Sequence, residues 1–256
     1  ESSAASDVYK RQKIFTLGKI QNYKNMPDLI TEALKDAILQ GEYKGGVQLK
    51  QDEIAKQFDV SLIPVREALI QLEGKGLVNC IRNKGAIVTR LSLKEMHELF
   101  ELRRVLEVGS AYLIKQQVEG EHLNKLKYIL EKMNKPAHPL IYCRYYRLFY
   151  QVLCDTAANA ELSKMYENLF VRVERYLMYI YHLVPELMNE RSHQERIVAL
   201  LENGQYDALI THLTSHIEML EISLFKALEA RNLRDVFDWN CLLPFRTLEE
   251  MSEIEY

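Results

Sequence analysis

Three sets of residues have types and spacings that could do chemistry. The first follows a short apolar-periodic stretch: Ser61, Leu62, Pro64 and Arg66, with Lys50 and Gln51 upstream and Arg82, Lys84 and Gly85 downstream. Arginine and lysine on one helix and one turn are the groups that meet base edges and phosphates. The second set is a stripe of Tyr142, Tyr146 and Tyr150 at i, i+4 and i+8, with Tyr145 beside it. The third combines Arg103 with Glu107, four residues apart, and His193 with His212 and His216, the last two sharing a helix face. Buried arginine can grip a carboxylate bidentately, and histidines can bind metal or hydrogen-bond a ligand. No P-loop, HExxH, paired-carboxylate motif or Ser/His/Asp arrangement is present, so an enzyme built on the helical half is the weaker class.

The elements that must position these residues follow from periodicity and punctuation. Met26 to Leu39 reads as a helix, with Leu29, Ile30, Ala33, Leu34, Ala37 and Ile38 at helical spacing and Gly41 as its stop. Gln51 to Phe58 is a short helix, and Ser61 is expected to cap the next one, which carries Pro64 in its first turn and runs to about Glu73. Residues 77–81 and 86–89 are β-rich runs around the turn Arg82-Asn83-Lys84-Gly85, a hairpin signal. Helix, helix, helix, hairpin is the order of a winged helix-turn-helix, whose second turn helix enters the major groove. From Ser92, which opens a capping-box pattern, the reading is helical over about 92–118, 121–133, 139–156, 160–183, 186–202 and 205–230. The short loops favour an antiparallel bundle.

Composition agrees. Only 10 glycines and 6 prolines punctuate 256 residues, which disfavours Gly-rich nucleotide folds and loop-heavy sandwiches. The net charge of −3 hides an asymmetry: residues 1–90 carry +3 and the remainder −6. A basic module joined to a larger acidic one fits a nucleic-acid reader fused to something else. The four scattered cysteines read as reduced thiols of a cytoplasmic protein, and no stretch is apolar enough to span a bilayer. The expected fold class is therefore mainly α. It divides into a disordered or processed leader (1–22), a winged helix-turn-helix (23–90), a helical domain (91–230) and a tail of unassigned role (231–256).

The stretch from Leu29 to Thr89, with Val60-Ser61-x-x-Pro64-Val65-Arg66-Glu67-Ala68-Leu69 at its centre, resembles the DNA-binding domain of the GntR family of bacterial transcriptional regulators. The remainder is similar to that family's fatty-acid-responsive-regulator branch, with its all-helical FCD-type ligand domain. Glu101-Leu102-Arg103-Arg104-Val105-Leu106-Glu107, Phe149-Tyr150-Gln151-Val152-Leu153 with Asn159-Ala160-Glu161-Leu162, and Ile197-Val198-Ala199-Leu200-Leu201-Glu202-Asn203-Gly204 ahead of His216 carry this second likeness.

The resemblance implies a homodimeric repressor or activator whose grip on an inverted-repeat operator responds to a small organic acid. It implies DNA contacts at Lys50, Gln51, Ser61, Leu62, Arg66, Arg82, Lys84 and Gly85. Where the family has an arginine after the turn serine, this chain has Leu62, which cannot donate to guanine but can meet a thymine methyl. It further implies an effector pocket of Arg103, Tyr146, Tyr150, Gln194 and His216. Relatives hold a divalent metal with an Asp and three His. Those positions fall here on Tyr146, Tyr150, Gln194 and His216, so no metal cofactor is expected. Neutral phenols are weak ligands. The alternative left open is a ligand-independent dimeric regulator with a degenerate effector site.

Overall fold

In the computed structural model, the residues described are 26–82, 84–114, 118, 120–134, 139–183, 191–230 and 237–238. The expected leader, the start of the first domain at 23–25, the stretches 115–117 and 186–190, and the tail apart from 237–238 lie outside them.

The N-terminal part holds α1 (Met26–Leu39), β1 (Gln48–Leu49), α2 (Gln51–Phe58), α3 (Leu62–Gly74), β2 (Val78–Ile81) and β3 (Gly85–Val88). The first two helices have the bounds that periodicity and Gly41 predict. Asp59 turns the chain between α2 and α3 with φ +54°, and its N–H bonds to the Ala55 carbonyl. Short polar residues tolerate that left-handed conformation. Ser61 sits at the N-cap of α3 in extended conformation, but its side chain makes no capping bond, contrary to expectation. Thr31 of α1 donates to Gln71 of α3 at 2.7 Å, and the Gln71 amide donates to Asp28 at 2.9 Å. These bonds fix the angle of α3 against α1.

β3 lies between β1 and β2, antiparallel to both, with Leu49 opposite Ala86 and Cys80 opposite Ala86 on the other side. β1 is a strand that the sequence pattern did not show. Its presence explains Gly85: a Cβ there would sit 2.0 Å from the Leu49 carbonyl oxygen, and φ is +94°. Ile30, Leu34, Ile54, Val65, Leu69, Leu72, Leu77 and Val88 form the buried centre of this unit.

After β4 (Leu91–Ser92), six helices follow: α4 (Leu93–Ile114), α5 (Gly120–Met133), α6 (Pro139–Asp155), α7 (Ala160–Leu183), α8 (Ser192–Glu202) and α9 (Tyr206–Ala230). β5 (Phe237–Asp238) pairs with β4 in parallel. The expected capping box forms by half. The Ser92 hydroxyl accepts the Glu95 N–H at 3.2 Å, while the Glu95 carboxylate goes to Arg172 and Tyr176 of α7. α4, α6 and α7 pack together, α9 packs on α4 and α8, and one large apolar core fills the bundle.

α7 also joins the two parts. Its Val171 is buried in the winged-helix core. Arg175, buried, donates to the Thr89 hydroxyl at 2.6 Å and to the Thr89 carbonyl at 2.9 Å. The Tyr176 hydroxyl accepts from the Ser92 N–H at 3.2 Å and donates to Glu95 at 2.7 Å. Arg144 of α6 pairs with Asp36 of α1.

Candidate functional site

α2, α3 and the hairpin bring Arg66 and Arg82 together on one side of the N-terminal unit. Gln51, Arg66, Ile70, Arg82 and Gly85 line a single shallow groove. Arg66 is exposed, and its Nε donates to the Gln51 Oε1 at 2.9 Å. That bond orients the guanidinium and leaves its Nη edge for bidentate pairing with guanine or phosphate. Lys50 is the N-cap residue of α2; its side chain makes no capping bond to the backbone, and its ammonium pairs with Glu53 in the first turn at 2.7 Å. Ser61 is exposed at the N-terminus of α3. Lys84 is exposed in the hairpin turn, and its carbonyl accepts from Gln48 at 2.8 Å. Leu62 is half-buried and packs on the winged-helix core, whereas its neighbour Ile63 is 67% exposed. Sequence reasoning passed over Ile63 and Ile70. The available signal was two branched apolar residues at outward positions of an otherwise amphipathic helix.

The second cluster is buried. Arg103 of α4 is fully enclosed; its Nε donates to Glu107 at 2.6 Å and its Nη2 to the Tyr146 hydroxyl at 2.7 Å. The Tyr146 oxygen lies 3.1 Å from His216 Nε2. Tyr166 donates to Glu107 at 3.0 Å. The guanidinium carbon is 5.1 Å from the Tyr150 ring centre and 5.6 Å from that of Phe170, inside an aromatic cage that favours a cation. Tyr146, Tyr150 and His216 are thus gathered around Arg103. Gln194 is buried on α8 beside His193. His193 stacks on His216 with ring centres 3.2 Å apart, and on His212 at 4.1 Å. Glu107 was legible as a partner of Arg103 at i, i+4. His193 was singled out with His212 and His216, while Tyr166 comes from another helix and carried no such signal.

Electrostatics follow from enclosure. Burial works against the Arg103 cation, but the Glu107 carboxylate beside it holds its pKa well above the ordinary value. Burial pushes Glu107 up, against the pull of Arg103. Burial raises the Tyr150 phenol well above its usual range. Burial, with His212 and Arg103 nearby, pushes His193 down to about 2, and His216 is also held far below the histidine range. Among the described residues, Arg103 Nη1, Glu107 Oε2, His193 Nε2, His216 Nδ1 and Gln194 Oε1 are buried with no hydrogen-bond partner, and the Tyr150 hydroxyl lacks one of normal geometry. Native interiors rarely leave so many polar atoms unpaired in one place.

The donors fit a divalent cation poorly. The Tyr146 oxygen already faces a guanidinium, and the phenols are held neutral by burial. The histidine rings stack face to face, which sets their nitrogens side by side instead of converging on one point. Among the described residues, no group of three or more His, Cys, Asp or Glu is placed to hold a metal.

A helix-turn-helix with a wing, fused to a helical bundle around a buried polar cluster, defines a DNA-binding regulator. Residues 28–88 match the family described as bacterial regulatory proteins, gntR family, and residues 98–219 match the FCD domain. The chain is 30% identical over 152 residues to an uncharacterized HTH-type transcriptional regulator, YdhC, of Bacillus subtilis, covering 56% of this chain and 68% of that one. It is 25% identical over 183 residues to the HTH-type transcriptional repressor RspR of Escherichia coli, covering 70% of this chain and 80% of the other. The fold is shared with Escherichia coli McbR/YncC at a TM-score of 0.67 and 22% identity, over 78% of this chain and 97% of that one. The chain belongs to the GntR family of bacterial transcriptional regulators and carries an FCD domain. It is a regulator and not an enzyme. No described helix is long and apolar enough to cross a membrane.

Proposed function

We propose that this chain is a cytoplasmic, homodimeric transcriptional regulator whose affinity for an inverted-repeat operator is set by a small organic acid, bound without metal at the Arg103 cluster. The observation that carries this reading is the set of buried polar atoms around Arg103 without a hydrogen-bond partner among the described residues: its Nη1, nitrogens of His193 and His216, and the acceptors Glu107 Oε2 and Gln194 Oε1, with the Tyr150 hydroxyl beside them. An acid's carboxylate oxygens match the donors of that set and its hydroxyl or protonated oxygen the acceptors, and the guanidinium supplies the positive charge. The route to DNA is α7. Its Tyr166 and Phe170 face the cluster, and within the next two turns Val171 and Arg175 hold the winged helix, while Arg172 and Tyr176 hold Glu95 at the start of α4. A ligand that shifts α7 moves the base of the wing through Thr89.

One observation favours the second reading, a regulator without ligand control: Glu107 already neutralises Arg103 inside the protein. The test is fluorescence anisotropy on DNA from upstream of the regulator's own coding sequence, in buffer with a chelator, across a panel of small mono- and dicarboxylic acids. The expected result is a change in DNA affinity of tenfold or more with at least one acid. An effect that appears only after adding zinc or nickel overturns the metal-free reading. Unchanged affinity with every acid selects the second reading.

A further inference from the structure

α3, from Leu62 through Gly74, carries Arg66 against Glu67 and Glu73, a net charge of −1. A helix with that balance cannot be held in the groove by phosphate attraction, which needs Lys and Arg. The cations sit elsewhere, on Lys50, Arg82 and Lys84. What α3 does expose is apolar: Ile63 is 67% exposed and Ile70 62% exposed, with Arg66 between them. Positions 63, 66 and 70 are spaced i, i+3 and i+7, so they lie along one face. Ile70 and Arg66 share the groove that Arg82 closes.

Exposed isoleucine costs solubility and contributes nothing to a phosphate contact. In the major groove its natural counterpart is the thymine C5 methyl, the one apolar group on any base edge there. We propose that Ile63 and Ile70 are specificity residues that read thymine methyls on either side of a guanine read by Arg66. Seven residues of helix span about 10.5 Å, roughly three base-pair steps, so the two thymines stand about three base pairs apart in each half-site. Gln51 is the positioning residue: its bond to the Arg66 Nε aims the guanidinium between the two isoleucines. The inference rests on the chain's DNA-binding face as described above and names what that face recognises.

The experiment starts with selection of binding sequences from a random duplex pool by the full-length chain. Each thymine of the selected half-site is then replaced by deoxyuridine, which removes only the methyl. Expected are two thymines flanking a guanine, with affinity falling about fourfold for each methyl removed. Ile63→Ala should abolish the deoxyuridine effect at one thymine and Ile70→Ala at the other, while Ile63→Val keeps it. Both side chains are exposed, so melting temperature reports whether each variant is folded. Enrichment of sequences whose deoxyuridine forms bind within twofold of the parent overturns the methyl reading and leaves DNA binding intact. Failure to enrich any sequence overturns the DNA-reading assignment of α3 itself, and this inference with it.

Discussion

Replacing Arg103 by methionine tests the buried cluster most directly. The substitution keeps approximate volume and removes the charge. Glu107, fully buried, would retain only the Tyr166 hydroxyl on its bonded oxygen, and its second oxygen has no partner among the described residues. Breaking a buried ion pair from one side costs about 3–5 kcal/mol, because the surviving charge is left unpaired in a low-dielectric interior. With a urea slope of about 3 kcal/mol per molar, the unfolding midpoint falls by roughly 1–1.7 M. The deficit depends on pH. Without Arg103, Glu107 takes up a proton in the folded state at a pH where the unfolded chain, near pKa 4.3, does not. The folded state then binds more protons, so its stability rises as pH falls, and the gap to wild type narrows from pH 8 to pH 5 by up to about 1.4 kcal/mol per unit. The double variant Arg103→Met, Glu107→Leu should recover most of the loss, since apolar replacement of a buried pair is often neutral. It should still bind DNA but lose its response to acid. Urea titrations at the two pH values, with anisotropy on operator DNA, measure all of this. A single-variant loss under about 1 kcal/mol with no pH dependence would refute the buried-pair argument. A double variant that still responds to acid would remove Arg103 from the effector site.

Two further outcomes follow. Gly85→Ala forces a Cβ to 2.0 Å from the Leu49 carbonyl at φ +94°, so β1 must leave β3; amide exchange at Ala86 to Val88 should accelerate and DNA affinity drop, whereas an unchanged exchange pattern would contradict the packing. His193 is held neutral in the fold, with its pKa pushed down to about 2 by burial, while the unfolded chain protonates it near 6.5. The unfolded state therefore binds more protons below pH 6.5, and stability falls as pH drops. His193→Gln should flatten that loss by about 1.4 kcal/mol per unit between pH 6 and 4, read by denaturation at each pH; parallel curves would place the histidine in contact with water.

Much of the winged helix was legible because its signals are local. Glycine after Leu39, alternation around a glycine turn and apolar residues at helical spacing each act within a few residues, and α1 and α2 begin and end where those signals say. The two-residue β1 was not legible, since a strand that short has no period. At Ser61 the backbone adopts the capping conformation without the side-chain bond that local reasoning expects.

The amino-acid order alone determined that a winged reading head is joined to an acidic helical bundle, that Arg103 and Glu107 share a helix face, and that Tyr142, Tyr146 and Tyr150 form one stripe at i, i+4 and i+8. It could not decide what those groups touch. Arg103 on α4, Tyr146 on α6, Tyr166 on α7, His193 on α8 and His216 on α9 meet only because five helices pack around one point. Side-chain contacts between helices depend on crossing angles and core volumes, which no spacing within one helix encodes. The same holds on the DNA side: leucine 62 and isoleucine 63 are equivalent as letters, and only the packing of α3 on its core turns Leu62 inward and leaves Ile63 outside.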